Sequence, residues 1–334
     1  LKEEDEARIS HVLDHCPITV ETADDGHIFD IQLEAKAGED QVRVRIVDFH
    51  TNVVLIEKNG EKLLEKAVER AAAADTQADP QADRALLNVA DIVEFADKVN
   101  LDDIRDLLER QISYNMAIAE EGIRTSYGAN IGKVLMSQGT DVRTRARAMA
   151  AAGSDARMNG CEMPVCIVSG SGNQGITASV PVVVYGKDMG ADHDTILRAV
   201  VVSDLITIHQ KTGIGRLSAY CGAISAGCGC GAGIAYLHGG KYEEVAHTTV
   251  NAVAILSGTI CDGAKSSCAA KIAMAVEAGI MGYEMFKNGQ QFYGGDGIVT
   301  KGVENTITNV GLLAREGMRE TDREIMRIMV EGGC

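Results

Sequence analysis

The thiols are the first residues in this chain to ask about chemistry. There are nine cysteines in 334 residues, an odd number, in an acidic chain that begins Leu1-Lys2-Glu3-Glu4, the opposite of a secretory leader. A disulfide framework is therefore disfavoured, and thiols for metal binding or catalysis become the question. Cys261 and Cys268 bracket Cys-Asp-Gly-Ala-Lys-Ser-Ser-Cys, with Cys221 forty residues upstream. If Cys261 precedes a helix that carries Cys268, both thiols can meet one centre. The spacing matches neither ferredoxin nor zinc-ribbon patterns. A three-thiolate metal site and three small buried residues are both open readings. Cys228 and Cys230 fall on different faces of a Gly/Ala-rich helix. Cys16, Cys161 and Cys166 lie in or beside strand-like segments and read as small buried residues.

A second group lies around residue 170. Ser169-Gly170-Ser171-Gly172-Asn173-Gln174-Gly175 contains a literal G-x-G-x-x-G. A dinucleotide site needs that turn to open a helix. Here Ile176 to Val184 is β-branched and contains Pro181, which reads against a helix. The expectation is a glycine-rich loop between apolar segments, spanning residues 153–186. Its N–H groups form a nest for a small anion such as a carboxylate, with Ser169, Ser171 and Asn173 as further donors. A tight turn without a ligand is the plainer reading. Arg157, beside the loop, is either half of a structural ion pair or the partner of a substrate carboxylate. His50, at a strand boundary, and Lys265, between the two close cysteines, are candidate bases.

The elements that must position these residues fall into two parts. Residues 28–35 and 41–47 alternate apolar and polar, with a turn at 37–40, and residues 52–57 form a further strand before an Asn59-Gly60 turn. This predicts a small antiparallel β-rich subdomain over residues 1–70. Residues 71–84 are rich in Ala, Asp and Gln and read as a linker. From 85 to 334 the pattern is helical, with segments at 101–112, 194–210, 216–237, 241–257, 266–287 and 303–330. The fold class is thus α+β, a β-rich subdomain followed by a mainly helical catalytic domain. Glycine is 36 of 334, above the usual share of about 7%, and proline only 4. The helices at 216–237 and 266–287 are therefore expected to pack backbone to backbone.

Composition excludes several partners. Lys and Arg number 32 against 48 Asp and Glu, a net charge of −16, and aromatics are 4% with no tryptophan. Nucleic acid needs a basic surface and stacking platforms, so it is excluded. No apolar run reaches membrane-spanning length. The chain reads as cytoplasmic, with a small molecule as its substrate and a homo-oligomer as one possible assembly.

Several segments together resemble the L-cysteine desulfidase family, relatives of the bacterial iron–sulfur L-serine dehydratases. They are Ser154-Asp155-Ala156-Arg157-Met158, Gly170 to Ala178, Arg216-Leu217-Ser218-Ala219 and Ile260 to Ala269, with His50-Thr51-Asn52, Glu304-Asn305-Thr306 and Thr321-Asp322-Arg323 in support. The resemblance runs from about His50 to Met329. It implies a [4Fe–4S] cluster on Cys221, Cys261 and Cys268, and a substrate-binding role for the Asn173 loop. It implies β-elimination without pyridoxal phosphate, from L-cysteine or, alternatively, L-serine. A non-catalytic iron–sulfur sensor or subunit is the remaining alternative. Pyridoxal phosphate on Lys265 is the rival cofactor. Family members also carry an additional front segment with a Gly-Cys-Thr-Glu-Pro motif. That segment is expected either to precede this chain or to be a separate polypeptide, and it is a further possible source of the base.

Overall fold

A computed structural model describes residues 3–23, 27, 29–48, 51–68, 83–215 and 217–332. His50, Arg216 and most of the expected linker lie outside the described residues. The chain divides into two compact units, one of residues 1–76 with 321–334, the other of residues 77–320.

In the first unit, helix α1 (Glu3–His15) precedes four antiparallel strands in the order β1 (Asp30–Ala37), β2 (Asp40–Val47), β3 (Val53–Lys58) and β4 (Glu61–Glu65). The alternation expected from sequence sets the register, with Leu33 opposite Val44 and Val44 opposite Ile56. Gly38, Asn59 and Gly60 all have positive φ at two of the three strand connections, a conformation that glycine and asparagine adopt at least cost. Helix α1 was not expected. Ile9, Val12 and Leu13 fall at helical spacing, but they are the only large apolar residues in a short acidic stretch, and all three are exposed. Cys16 consequently follows a helix, not a strand.

The second unit is helical throughout. Its helices are α2 (Val89–Lys98), α3 (Arg105–Arg124), α4 (Ile131–Met136), α5 (Val142–Met158), α6 (Gly172–Asp188), α7 (His193–Ile214), α8 (Gly222–Leu237), α9 (Tyr242–Leu256), α10 (Ser267–Lys287) and α11 (Val303–Leu312). A π turn (Leu313–Gly317) follows, and α12 (Arg319–Glu331) runs on into the residues grouped with the first unit. Asp141 and Asp192 cap α5 and α7 by accepting from the backbone N–H of Thr144 and Thr195.

Helix α8 is the centre of the packing. It is buried from Ala223 to Leu237 and contacts α6, α7, α9 and α10. Small residues make this possible. A Cβ added at Gly231 would stand 2.5 Å from the carbonyl oxygen of Gly279 on α10, and one at Gly233 would stand 2.8 Å from the carbonyl of Ala199 on α7. The expected backbone-to-backbone packing of these helices is therefore present.

One expectation fails here. Residues 172–188 form a regular helix, α6, with Pro181 inside it. The proline removes one helical hydrogen bond and β-branching lowers helix propensity. Burial outweighs both, since every residue from Gln174 to Gly186 is buried. The glycine motif thus does open a helix. The dinucleotide reading falls on a different ground: among the described residues no strand leads into Gly170, and the one sheet is the antiparallel sheet of the first unit.

Candidate functional site

Three helix N-termini carry most of the candidate residues. Helix α6 starts at Gly172, α8 follows Cys221 as its N-cap, and α10 holds Cys268 in its first turn. Each N-terminus presents N–H groups without intrahelical acceptors and a partial positive charge, an environment that favours anions and thiolates.

Cys221 and Cys261 are brought together by a short antiparallel bridge between Tyr220 and Ile260. The Cys221 N–H donates to the Thr259 carbonyl at 3.0 Å, and the Cys261 N–H to the Ala219 carbonyl at 2.6 Å. The two thiols thereby come to face each other and interact. That contact, with burial, pushes the Cys221 thiol up. It pulls the Cys261 thiol down to about 6, helped by the Gly263 N–H and by the charges of Lys211 and Lys271. Cys268 Sγ lies 3.6 Å from the Gly263 carbonyl, to which it donates. Among the described residues, no three His, Cys, Asp or Glu side chains already surround one metal-sized centre.

The surroundings are cationic. Lys211, on α7, is 4% exposed and makes no ion pair among the described residues. Burial pushes its ammonium down to about 8, against the attraction of Cys261 and Cys221. Lys271 Nζ donates to the Ile260 carbonyl at 2.9 Å and to Asp262 Oδ1 at 2.5 Å, and its charge faces Cys221 and Cys268. Asp262 is thereby shared. Lys265 Nζ lies 2.5 Å from the same oxygen and donates to the Asp262 carbonyl at 3.0 Å. Lys265 therefore spans the loop between Cys261 and Cys268 and ties it down.

Arg157 ends α5 beside this group. Its Nε and a Val165 methyl occupy the space a Cβ on Gly172 would need, so a larger residue at the start of α6 would have to displace the guanidinium. Arg157 Nη1 donates to Asn173 Oδ1 at 3.3 Å. The guanidinium has no carboxylate partner among the described residues. Burial pushes its pKa down and the nearby Cys268 opposes this. Asn159 at the end of α5 and Ser266 at the start of α10 tie those two helices together, with Ser266 Oγ donating to Asn159 Oδ1 at 2.8 Å.

Ser169 and Gly170 form the corner of a tight turn, with φ of 49° and 84°. The Val168 N–H donates to the Ser171 carbonyl at 3.2 Å and the Ser171 N–H to the Val168 carbonyl at 3.1 Å. The Ser171 N–H is therefore spent on the turn, and the available backbone donors begin at Gly172. Ser169 Oγ is buried without a partner, and Ser171 is the N-cap residue of α6 without a side-chain cap bond.

Cys228 and Cys230 are buried in α8 and burial pushes both thiols up. Cys161 and Cys166 lie in the connection between α5 and α6.

Sequence reasoning missed Lys211, Lys271 and Gln174. Lys211 had a legible signal: it continues the buried stripe Thr207, Lys211, Ile214 at helical spacing, where a lysine is out of place. Gln174 lay within the glycine motif but was not singled out.

No helix among the described residues is long and apolar enough to cross a membrane. The chain matches the family described as serine dehydratase alpha chain over residues 30–327. It is 56% identical over 324 residues to a UPF0597 protein of Desulfitobacterium hafniense, covering 97% of this chain and 74% of that relative. UPF0597 proteins of Lachnoclostridium phytofermentans and Treponema denticola are 49% and 45% identical, each over 90% of this chain and 71% and 70% of the relative. The arrangement of thiols and helix N-termini thus sits in a chain that belongs to the serine dehydratase alpha chain family.

Proposed function

We propose that the chain is an iron–sulfur lyase that eliminates a β-substituent from a small amino acid, with L-cysteine as substrate and pyruvate, ammonia and sulfide as products. The observation that supports it most is the pairing of Cys221 with Cys261, beside Cys268 and within reach of an uncompensated Arg157. The donor set fits a [4Fe–4S] cluster: three thiols, two of them in contact, flanked by Lys211, Lys271 and Arg157, whose charges offset thiolates. Cys268 completes the set by releasing the Gly263 carbonyl. When bound, a cluster with three protein thiolates supplies an open iron that attracts a soft sulfur leaving group.

The remaining work falls to the chain's own groups. Arg157 and the Asn173 amide nitrogen hold the substrate carboxylate, with the N–H groups of Gly172 and Asn173 behind it. The positive end of α6 stabilises negative charge that develops toward the carboxylate as the Cα proton leaves. Lys211 and Lys271 keep the thiolate region near neutrality. Lys265 has its ammonium on Asp262 and serves to hold the loop. None of these groups is assigned as the base; the remaining candidates read from the sequence are His50, which lies outside the described residues, and a group of the additional segment with the Gly-Cys-Thr-Glu-Pro motif. Loss of the Cα proton and of HS⁻ from Cβ leaves aminoacrylate, which water converts to pyruvate and ammonia.

The test is an anaerobic assay of the reconstituted chain, alone and with the additional segment, measuring pyruvate and sulfide. Equal amounts of both from L-cysteine, faster than pyruvate from L-serine, support the reading. Faster L-serine turnover, which the family's description favours, makes the protein a dehydratase. An intact cluster with no product from either overturns the lyase reading in favour of a sensor or subunit. An absorbance band that borohydride removes, with no iron, points to pyridoxal phosphate instead.

A further inference from the structure

Gln174 is 6% exposed, in the first turn of α6, and its Oε1 is buried without a hydrogen-bond partner. Its amide packs against the start of α8. A Cβ on Gly222 would lie 2.6 Å from its Nε2 and 3.0 Å from its Oε1. The amide therefore stands next to the residue that follows Cys221. A buried carbonyl oxygen left unpaired is costly, and such atoms in native proteins usually mark a water or a ligand.

From this geometry we infer that Gln174 Oε1 receives the α-ammonium of the substrate, so that the site selects α-amino acids over carboxylates that lack the amino group. The inference rests on the lyase reading above. The two neighbouring residues divide the work. Asn173 and Arg157 offer donors, which suit a carboxylate, whereas Gln174 offers an acceptor, which suits an ammonium. Both sit on one helical turn, and the carboxylate and ammonium of an α-amino acid are attached to one carbon. The positive end of α8 opposes a cation there, and the carboxylate attached to the same carbon of the substrate keeps the bound molecule neutral as a whole.

The experiment compares the whole chain with Q174M and Q174E by anaerobic equilibrium dialysis against labelled L-alanine and labelled propionate. L-Alanine has the carboxylate and ammonium but no leaving group, so binding is read without turnover. Unchanged iron content and thermal melts show that the variants fold. The unsubstituted chain should bind L-alanine at least tenfold more tightly than propionate. Q174M should abolish that preference, leaving propionate binding within twofold. Q174E, an acceptor without N–H donors, should keep it. Equal binding of both ligands by the unsubstituted chain overturns the proposal, and so does a preference that survives in Q174M. Loss of the preference in Q174E overturns it too, because the amide would then be acting as a donor. A preference for L-alanine that needs Gln174, with no product from L-cysteine or L-serine, would sink the lyase reading while leaving this subsite standing.

Discussion

The Arg157 guanidinium donates to Asn173 Oδ1 at 3.3 Å. This bond fixes which way the Asn173 amide faces. Its oxygen is spent on Arg157, and its nitrogen is left with two donors for another partner. The same bond joins the end of α5 to the start of α6, so a carboxylate placed there meets a guanidinium, an amide nitrogen and helix N–H groups together.

Replacing Asn173 with Ala removes the positioned donor and should cost about 2–4 kcal/mol of transition-state stabilisation, the range for one donor of a preorganised anion site. Iron content should not change. Asn173→Asp should be at least as harmful, since a carboxylate would pair with Arg157 and fill its place. Steady-state rates with L-cysteine and L-serine check both variants. Unchanged kcat/KM in Asn173→Ala would remove the loop from the site.

Each of Cys221→Ala, Cys261→Ala and Cys268→Ala should lose the broad visible absorption of an anaerobic preparation, with iron and acid-labile sulfide falling together. Cys16→Ala and Cys161→Ala should keep both. Cys16 follows α1 and is exposed, and Cys161 lies after α5. Iron and sulfide analysis decides the matter without any activity measurement. Full iron in all three variants would show that the thiols of Cys221, Cys261 and Cys268 are not the ligands.

Helix α10 sits close against α8 because the crossing holds only glycine and alanine, Gly227 and Gly231 meeting Ala275 and Gly279. A Cβ on Gly279 would overlap the carbonyl oxygen of Gly227 and stand 3.0 Å from the Gly231 nitrogen. Gly279→Ala should destabilise by about 1–3 kcal/mol, the usual penalty of overpacking, and Gly279→Val by more. The same crossing sets the separation of Cys221 from Cys268, so iron retention should fall alongside the melting temperature. Denaturant unfolding and iron analysis of the two variants test this.

The sequence revealed elements more readily than their meeting points. Hairpins at Gly38 and at Asn59-Gly60 announced themselves, because period-two alternation and positive-φ residues are both local signals. The small-residue helices α8 and α10 were equally plain. Helix α6 was misread because Pro181 and four valines weigh against a helix locally, and only burial on nearly every side reverses that balance. The contact of Cys221 with Cys261 was not legible as geometry. It depends on the Tyr220–Ile260 bridge, which closes a forty-residue interval through two packed helices. Lys211 was visible as a misplaced lysine, but its nearness to the two thiols depends on how α7 lies along α8.

Glu277, on α10, takes the fork of Arg143 and also accepts from Arg147 Nη1 at 3.0 Å, both arginines lying on α5. Arg143 Nη1 reaches Glu284 as well, at 3.0 Å. Burial of Glu277 pushes its carboxyl up, but the two arginines outweigh this and hold it below the usual glutamate value. A carboxyl whose pKa is lowered on folding stabilises the native state above its unfolded pKa of about 4.3, and the benefit fades as pH falls through the folded value. Glu277→Gln should therefore cost about 1–2 kcal/mol at pH 7, a modest figure because the group is partly solvated. The gap between Glu277→Gln and the unsubstituted chain should stay constant from pH 7 down to about 5 and close below pH 4. Chemical denaturation of the metal-free chain across that range measures it. A gap that persists at pH 3 would mean that packing of the side chain between α5 and α10, and not its charge, holds these two helices together.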